Sequence, residues 1–269
     1  MLEADTGHVH AAGASLEYRW IGPPPTAAPT IVLLHEGLGC VSTWRDFPER
    51  LAARTGWGVF VYARRGYGRS SAYPSPWSLS YMHDEARLVL PPLLDAIGLE
   101  RGVLFGHSDG ASIAAIYAGD AGDAGDAGAG DPRIAGLVLM APHFFAEPIS
   151  VASIAAARRA YENTDLRARL RRHHGDNVDD AFYGWCDAWL DPGFAAWNLE
   201  ALLPAIRRPI LAIQGEADEY GTTRQIDALR AGAGGPVTVA MLPGCGHAPF
   251  KERPEASLDA VARFVAGLV

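Results

Sequence analysis

The sequence predicts an α/β fold: a mostly parallel central sheet covered by helices on both faces, with a helical lid inserted before the last two strands. Two features carry that reading. Short, continuously apolar runs recur along the chain, and helical patterns lie between most of them. A strand buried on both faces reads as an unbroken apolar run, whereas a half-exposed one alternates, so the pattern points to a sheet sandwiched by helices.

The expected strands, in order, are "SLEYRWIG" (15–22), "TIVLLHE" (30–36), "GVFVYAR" (58–64), "GVLFGHS" (102–108), "IAGLVLMAP" (134–142), "PILAIQGEAD" (209–218) and "VTVAMLPGCGH" (237–247). Turn residues bound each run. Helical patterns cover 44–54, 83–97, 113–118 and 254–268. Two stretches break this rhythm. Residues 119–131, "GDAGDAGDAGAGD", are acidic and Gly-rich with nothing to bury, and are expected to form a flexible surface loop. Residues 143–204 are mostly helical in pattern and rich in aromatics, among them Phe144, Tyr161, Phe182, Trp185 and Trp189. They follow one expected strand and precede the next, so they are read as a lid over the carboxyl edge of the sheet. Most of their aromatics should pack the lid down, with one or two lining a pocket. The core is then 1–142 and 205–269.

Bulk properties narrow the function classes. A chain of 269 residues that is 49% hydrophobic can bury one sizeable core. A net charge of −8 argues against nucleic acid or an anionic membrane as partner. The basic run "RARLRRHH" (167–174) has helical spacing and is read as a solvated helix face. Cys40, Cys186 and Cys245 form no close pair and are read as free thiols of a reducing compartment. No signal peptide is visible, and no apolar run approaches the roughly 20 residues needed to span a bilayer. A cytoplasmic protein acting on a small molecule is expected, with a homodimer left open.

The chemistry concentrates where strands end. In an open α/β sheet the ligand crevice lies beyond the carboxyl ends of the strands. There, Gly106-His107-Ser108-Asp109-Gly110 joins an expected strand directly to an expected helix. That context makes G-x-S-x-G a nucleophile elbow, a tight turn that lifts the Ser108 hydroxyl above the sheet. A serine nucleophile needs a base and an acid that orients the base. His247 lies in the loop after the last expected strand, and Asp218 lies at the end of the strand before it. The order Ser108, Asp218, His247, all at carboxyl ends of strands, supplies a catalytic triad. Two backbone N–H groups for an oxyanion hole are assigned to Gly37, in "LLHEGLG", and to Asp109. His173 and His174 with Asp176 do not amount to a metal site, because adjacent helical histidines diverge and a structural zinc needs four placed ligands.

Taken together, "LLHEGLG", "YARRGYGRSS", "GHSDGAS", "LVLMAP", "PILAIQGEAD" and "PGCGHAPF" resemble the α/β-hydrolase-fold serine hydrolases over nearly the whole chain. The similarity is to the bacterial single-domain group of esterases, C–C bond hydrolases and cofactor-free haloperoxidase-like enzymes. It implies a hydrolase without cofactor and leaves the substrate open. The chain departs from the group's pattern at three places. Glu36 stands where a glycine is usual, Ala63 where an aspartate is usual, and Asp109 where Met, Gln or Ala is common. Glu36 is expected either to pair with Arg64 or Arg65 or to reach the pocket. Asp109 either complements the helix N-terminus or faces the acyl pocket. His107 should point away from the hydroxyl, and His143 is a candidate for the pocket wall. Three functions stay in view: an ester or thioester hydrolase, a C–C bond hydrolase of an aromatic-degradation product, and a non-catalytic binding protein that kept the fold.

Overall fold

The computed structural model describes residues 4–74, 76–120 and 130–268. Of the Gly/Asp/Ala-rich stretch read as a flexible loop, residues 121–129 lie outside that description. The strands are β1 (Ala4–Ala11), β2 (Ala14–Ile21), β3 (Thr30–Leu34), β4 (Gly58–Tyr62), β5 (Gly102–His107), β6 (Ile134–Met140), β7 (Ile210–Gly215) and β8 (Val237–Leu242). They form one sheet in the order β1-β2-β4-β3-β5-β6-β7-β8. The ladders from β4 through β3, β5, β6 and β7 to β8 are parallel, while β1 with β2 and β2 with β4 are antiparallel.

The unbroken apolar runs have the expected cause. Every residue of β3, β4, β5 and β7 is buried. Alternate side chains serve the two faces, as the period of two requires. Val32, Leu34, Phe60 and Tyr62 enter one core, and Ile31, Leu33, Val59 and Val61 enter the other.

The helices divide accordingly. Leu51 of α1 (Phe47–Thr55) and Leu258, Val261 and Val265 of α10 (Pro254–Ala266) cover the second face. The first face is covered by three elements. One is the continuous run of α2 (Tyr81–Asp84), a π turn (Glu85–Val89) and α3 (Leu90–Ala96). The others are α4 (Asp109–Gly119) and α8 (Arg224–Gly232). The short α9 (Pro249–Glu252) precedes α10.

Between β6 and β7 come α5 (Pro148–Asn163), α6 (Leu166–His174) and α7 (Val178–Leu190), followed by short 3₁₀ turns. Phe144, Tyr161, Phe182, Trp185, Trp189 and Phe194 of this insertion are buried. No helix among the described residues is long and apolar enough to cross a membrane. Cys40, Cys186 and Cys245 are free and buried.

Three details differ from the sequence reading. Strand β1 was not expected; it is a largely exposed edge strand without an apolar run, paired in the sheet with β2 through the two-residue Ala12-Gly13 turn. Both turn residues have positive φ, as the tightest hairpin turns demand. The helix expected over 83–97 begins at Tyr81 and widens to a π turn just before Pro91 and Pro92, which have no N–H to give to the ladder. The helix expected over 44–54 is split into a 3₁₀ turn (Val41–Trp44) and α1, which starts beside Pro48.

Candidate active site

The candidate site residues Glu36, Gly37, Ser108, Asp109, His143, Asp218 and His247 lie just past the carboxyl ends of β3, β5, β6, β7 and β8. The elbow is strained: Ser108 has φ 53° and ψ −119°, a region L-residues rarely occupy. The flanking glycines make the turn possible. A Cβ on Gly110 would lie 2.6 Å from the Leu34 carbonyl carbon, and one on Gly106 would run into the Gly110 carbonyl.

The three triad candidates meet. Ser108 Oγ lies 2.9 Å from His247 Nε2, and His247 Nδ1 lies 2.9 Å from both carboxylate oxygens of Asp218. A carboxylate can only accept, so Nδ1 carries the proton and Nε2 is left to accept from the serine hydroxyl. Asp218 also accepts from the N–H groups of Tyr220 (2.8 Å) and Gly221 (3.2 Å) and from Gln214 Nε2 (2.8 Å). Burial opposes its ionisation, but the His247 hydrogen bond and these donors outweigh that and hold it down at about 2. His247 packs beside the Tyr220 ring at 4.7 Å and the His143 ring at 5.7 Å.

The model of the "Alpha/beta hydrolase family" matches residues 31–260, most of the chain. The chain belongs to the alpha/beta hydrolase family. The curated relative Epoxide hydrolase B of Mycobacterium tuberculosis (strain ATCC 25618 / H37Rv) is 35% identical over 98 residues. That match spans 36% of this chain but only 26% of the relative's length. Among solved structures, a hydrolase from Pseudomonas aeruginosa PA01 superposes with a TM-score of 0.70 at 23% identity, covering 97% of this chain and 98% of its own. The enol-lactonase from Burkholderia xenovorans LB400 gives 0.72 at 22% identity, covering 97% and 100%. At these identities the structural likeness speaks for the fold alone.

The departures from the alpha/beta hydrolase pattern resolve into specific contacts. Glu36 pairs with neither Arg64 nor Arg65, which corrects one of the two alternatives the sequence left open. Its carboxylate faces His107 Nδ1 at 3.4 Å and Lys251 Nζ at 3.7 Å. Arg64 instead donates to the backbone carbonyls of His35 and Glu36, and Arg65 donates to that of Ala72. Burial works against the Glu36 charge, but the His107 hydrogen bond and the Lys251 ammonium hold its carboxyl well below the usual range. His107 points away from the hydroxyl; its Nε2 donates to the His247 carbonyl at 2.7 Å.

The Asp109 carboxylate lies in the first turn of α4, as one of the two readings had it, and does not stand free. It is buried and accepts from Tyr81 Oη at 2.6 Å, and Tyr81 Oη accepts from Trp189 Nε1 at 3.0 Å. Burial raises its pKa, and the nearby Arg64 guanidinium limits the rise. The Asp109 N–H lies in the first turn of α4, where no intrahelical acceptor exists. Gly37 sits against the insertion: a Cβ there would overlap Trp185 Nε1 and Cδ1 and lie 2.8 Å from Cε2. His143 is buried beside Trp189, and its Nδ1 has no hydrogen-bond partner among the described residues. Burial first, then the His247 charge, push it down to about 3, so it is neutral at pH 7.

Sequence reasoning missed Gln214, Tyr81 and His174. His174 corrects the reading of 167–174 as wholly solvated. The arginines of that run point outward, but His174 is buried, accepts from the Gly68 N–H (3.1 Å) and donates to the Leu38 carbonyl (3.1 Å). Its place in the final turn of α6, next to a glycine that ends the helix, was the available signal.

Proposed function

We propose that this protein is a serine hydrolase of carboxylic esters or thioesters with a small, mainly apolar acyl group, working without metal or cofactor. The observation that supports this most is the continuous hydrogen-bonded line from Ser108 Oγ through His247 to Asp218, with the tautomer fixed by a carboxylate held ionised. Ser108 attacks the carbonyl carbon as His247 Nε2 takes its proton. The tetrahedral oxyanion is received by the N–H groups of Gly37 and Asp109. His247 then protonates the leaving alcohol or thiol, giving an acyl-enzyme. A water deprotonated by His247 attacks that ester, and collapse of the second tetrahedral intermediate releases the acid and restores Ser108. Asp218 keeps the imidazole oriented and stabilises its charged form. Trp185, against Gly37, supplies an apolar wall.

Epoxide opening, the activity named for the curated relative, fits this site poorly. Serine attack on an epoxide carbon would leave an ether, which water does not cleave, whereas a carboxylate nucleophile leaves an ester. C–C bond hydrolysis of a substrate bearing a carboxylate would need a free cation. Arg64 and Arg65 are engaged by backbone carbonyls, and Arg158 by Glu162 and Asp187. The three buried free thiols support a cytoplasmic location.

A panel of p-nitrophenyl esters of graded chain length, run on wild type and Ser108→Ala, tests the reading. Wild type should favour short chains, and Ser108→Ala should lose roughly 10³-fold or more. Wild-type inactivity on every ester would overturn the ester reading. Failure of a fluorophosphonate to label Ser108 would return the protein to the ligand-binding class.

A further inference from the structure

The insertion between β6 and β7 reaches both proposed oxyanion donors, and it does so by hydrogen bonds as well as by packing. From α6, His174 Nε2 donates to the Leu38 carbonyl, in the residue next to Gly37. From α7, Trp189 Nε1 donates to Tyr81 Oη, which donates to Asp109 Oδ2. Between these two relays the Trp185 indole lies against Gly37. His174 is fixed at both ring nitrogens, since Gly68 N–H donates to Nδ1. Asn177, in the turn after α6, adds a bond from Nδ2 to the Ser70 carbonyl at 2.7 Å.

We propose that His174, Trp189 and Tyr81 are positioning residues through which docking of the insertion sets the two halves of the oxyanion hole. The inference rests on the ester-hydrolase reading, which makes Gly37 and Asp109 the donors. Two physical arguments carry it. The first is geometric: the loop 35–39 is held from the core side by Arg64 on the His35 and Glu36 carbonyls and from the insertion side by His174 on the Leu38 carbonyl. Gly37 lies between those two clamps, so the direction of its N–H depends on both.

The second argument is electrostatic. Asp109 carries a carboxylate on the same residue whose N–H is to stabilise an oxyanion, and an unanchored negative charge there would oppose it. The Tyr81 hydroxyl ties that carboxylate down. The Trp189 N–H polarises the hydroxyl and strengthens the tie. Neither clamp touches the reacting atoms, so their loss should show in kcat far more than in KM.

The test uses four single variants of the full chain. Tyr81→Phe removes only the hydroxyl, and Trp189→Phe keeps an aromatic side chain but removes the donor together with the pyrrole ring. His174→Asn reaches only as far as Nδ1 and loses the bond to Leu38, whereas His174→Gln reaches as far as Nε2 and keeps it. On the best p-nitrophenyl ester, Trp189→Phe, Tyr81→Phe and His174→Asn should each lose about ten-fold in kcat with KM within about two-fold, and His174→Gln should stay near wild type. The double variant Trp189→Phe, Tyr81→Phe should lose less than the product of the two single losses, because Trp189 acts on Asp109 through Tyr81 as well as directly.

Amide exchange over 33–39 and 106–112, followed by mass spectrometry, gives a readout independent of turnover. It should quicken in 33–39 for His174→Asn and in 106–112 for Trp189→Phe and Tyr81→Phe. Unchanged kcat in an active enzyme, equal loss in His174→Asn and His174→Gln, or unchanged exchange in these segments would overturn the proposal. If wild type turns over no ester, the ester reading falls by itself, and the exchange measurement still decides whether the insertion orders the two loops.

Discussion

Gly37→Ala should disable the enzyme through a collision rather than through backbone torsion. Gly37 is not at a positive φ, so alanine can adopt its conformation, but the added methyl would overlap the pyrrole edge of Trp185. Trp185 is 6% exposed and packed into the core beneath α7, so it has little room to withdraw. Overpacking of this kind costs about 1–3 kcal/mol. The loop, tied by Arg64 and His174 on either side, has to give instead, which turns the Gly37 N–H away from the oxyanion. Losing one such donor costs roughly 10²–10³ in kcat, or about 2.7–4 kcal/mol of transition-state stabilisation. The assay is kcat and KM on a p-nitrophenyl ester, with thermal denaturation alongside. Gly37→Ala should lower kcat by that factor with a modest drop in Tm. Adding Trp185→Leu removes the overlapping indole atoms and should recover about ten-fold or more of the lost rate, a coupling expected of residues in contact. A fully active Gly37→Ala, or a defect that Trp185→Leu leaves untouched, would refute the reasoning.

Further outcomes follow from the charged and titrating groups. Asp218→Asn should cost about 10⁴ in kcat, because an amide permits the wrong imidazole tautomer. The Asp218 carboxyl is depressed to about 2 in the fold, so its contribution to stability is present above the ordinary aspartate value, near 4, and is lost as pH falls through 2. The Tm gap between wild type and Asp218→Asn should therefore close over that range. His174 is pushed down to about 4, mainly by burial, so the unfolded chain takes up its proton first. That stability is complete above about pH 6.5 and lost as pH falls toward 4, and His174→Gln should flatten the Tm–pH curve in that window. Glu36→Gln leaves His107 and Lys251 without their carboxylate. It should lose stability at neutral pH while kcat stays within about three-fold, with the deficit shrinking as pH falls below the usual carboxylate range. A much larger kcat loss would give Glu36 a part in the chemistry.

The parallel strands and the triad candidates were legible because each rests on a local signal. A doubly buried strand must be apolar along its length, and a nucleophile elbow must have small residues at 106 and 110. Ser108, Asp218 and His247 could be placed because strand ends are marked by the turn residues that follow them. Other features depend on contacts that no local pattern encodes. β1 carries too little apolar sequence to announce a strand and exists because β2 offers it an edge. Tyr81 and His174 act across 28 and 136 residues of chain, to Asp109 and Leu38, and though each sits at a helix end, nothing beside it in sequence names that distant partner. For Glu36 the sequence left pairing with Arg64 or Arg65 and reaching the pocket both open; the pairing fails because the loop turns its carbonyls to Arg64 and the Glu36 side chain to His107 and Lys251.

The strained elbow has a consequence for evolution in the laboratory. A residue held at φ 53° costs on the order of 1–3 kcal/mol, and glycine would relieve most of it. Ser108→Gly should therefore melt above wild type while losing its nucleophile. Selection for heat resistance alone would favour exchanging the side chain proposed as the nucleophile. Any stabilisation campaign on this chain has to score both properties, because at this position they pull in opposite directions.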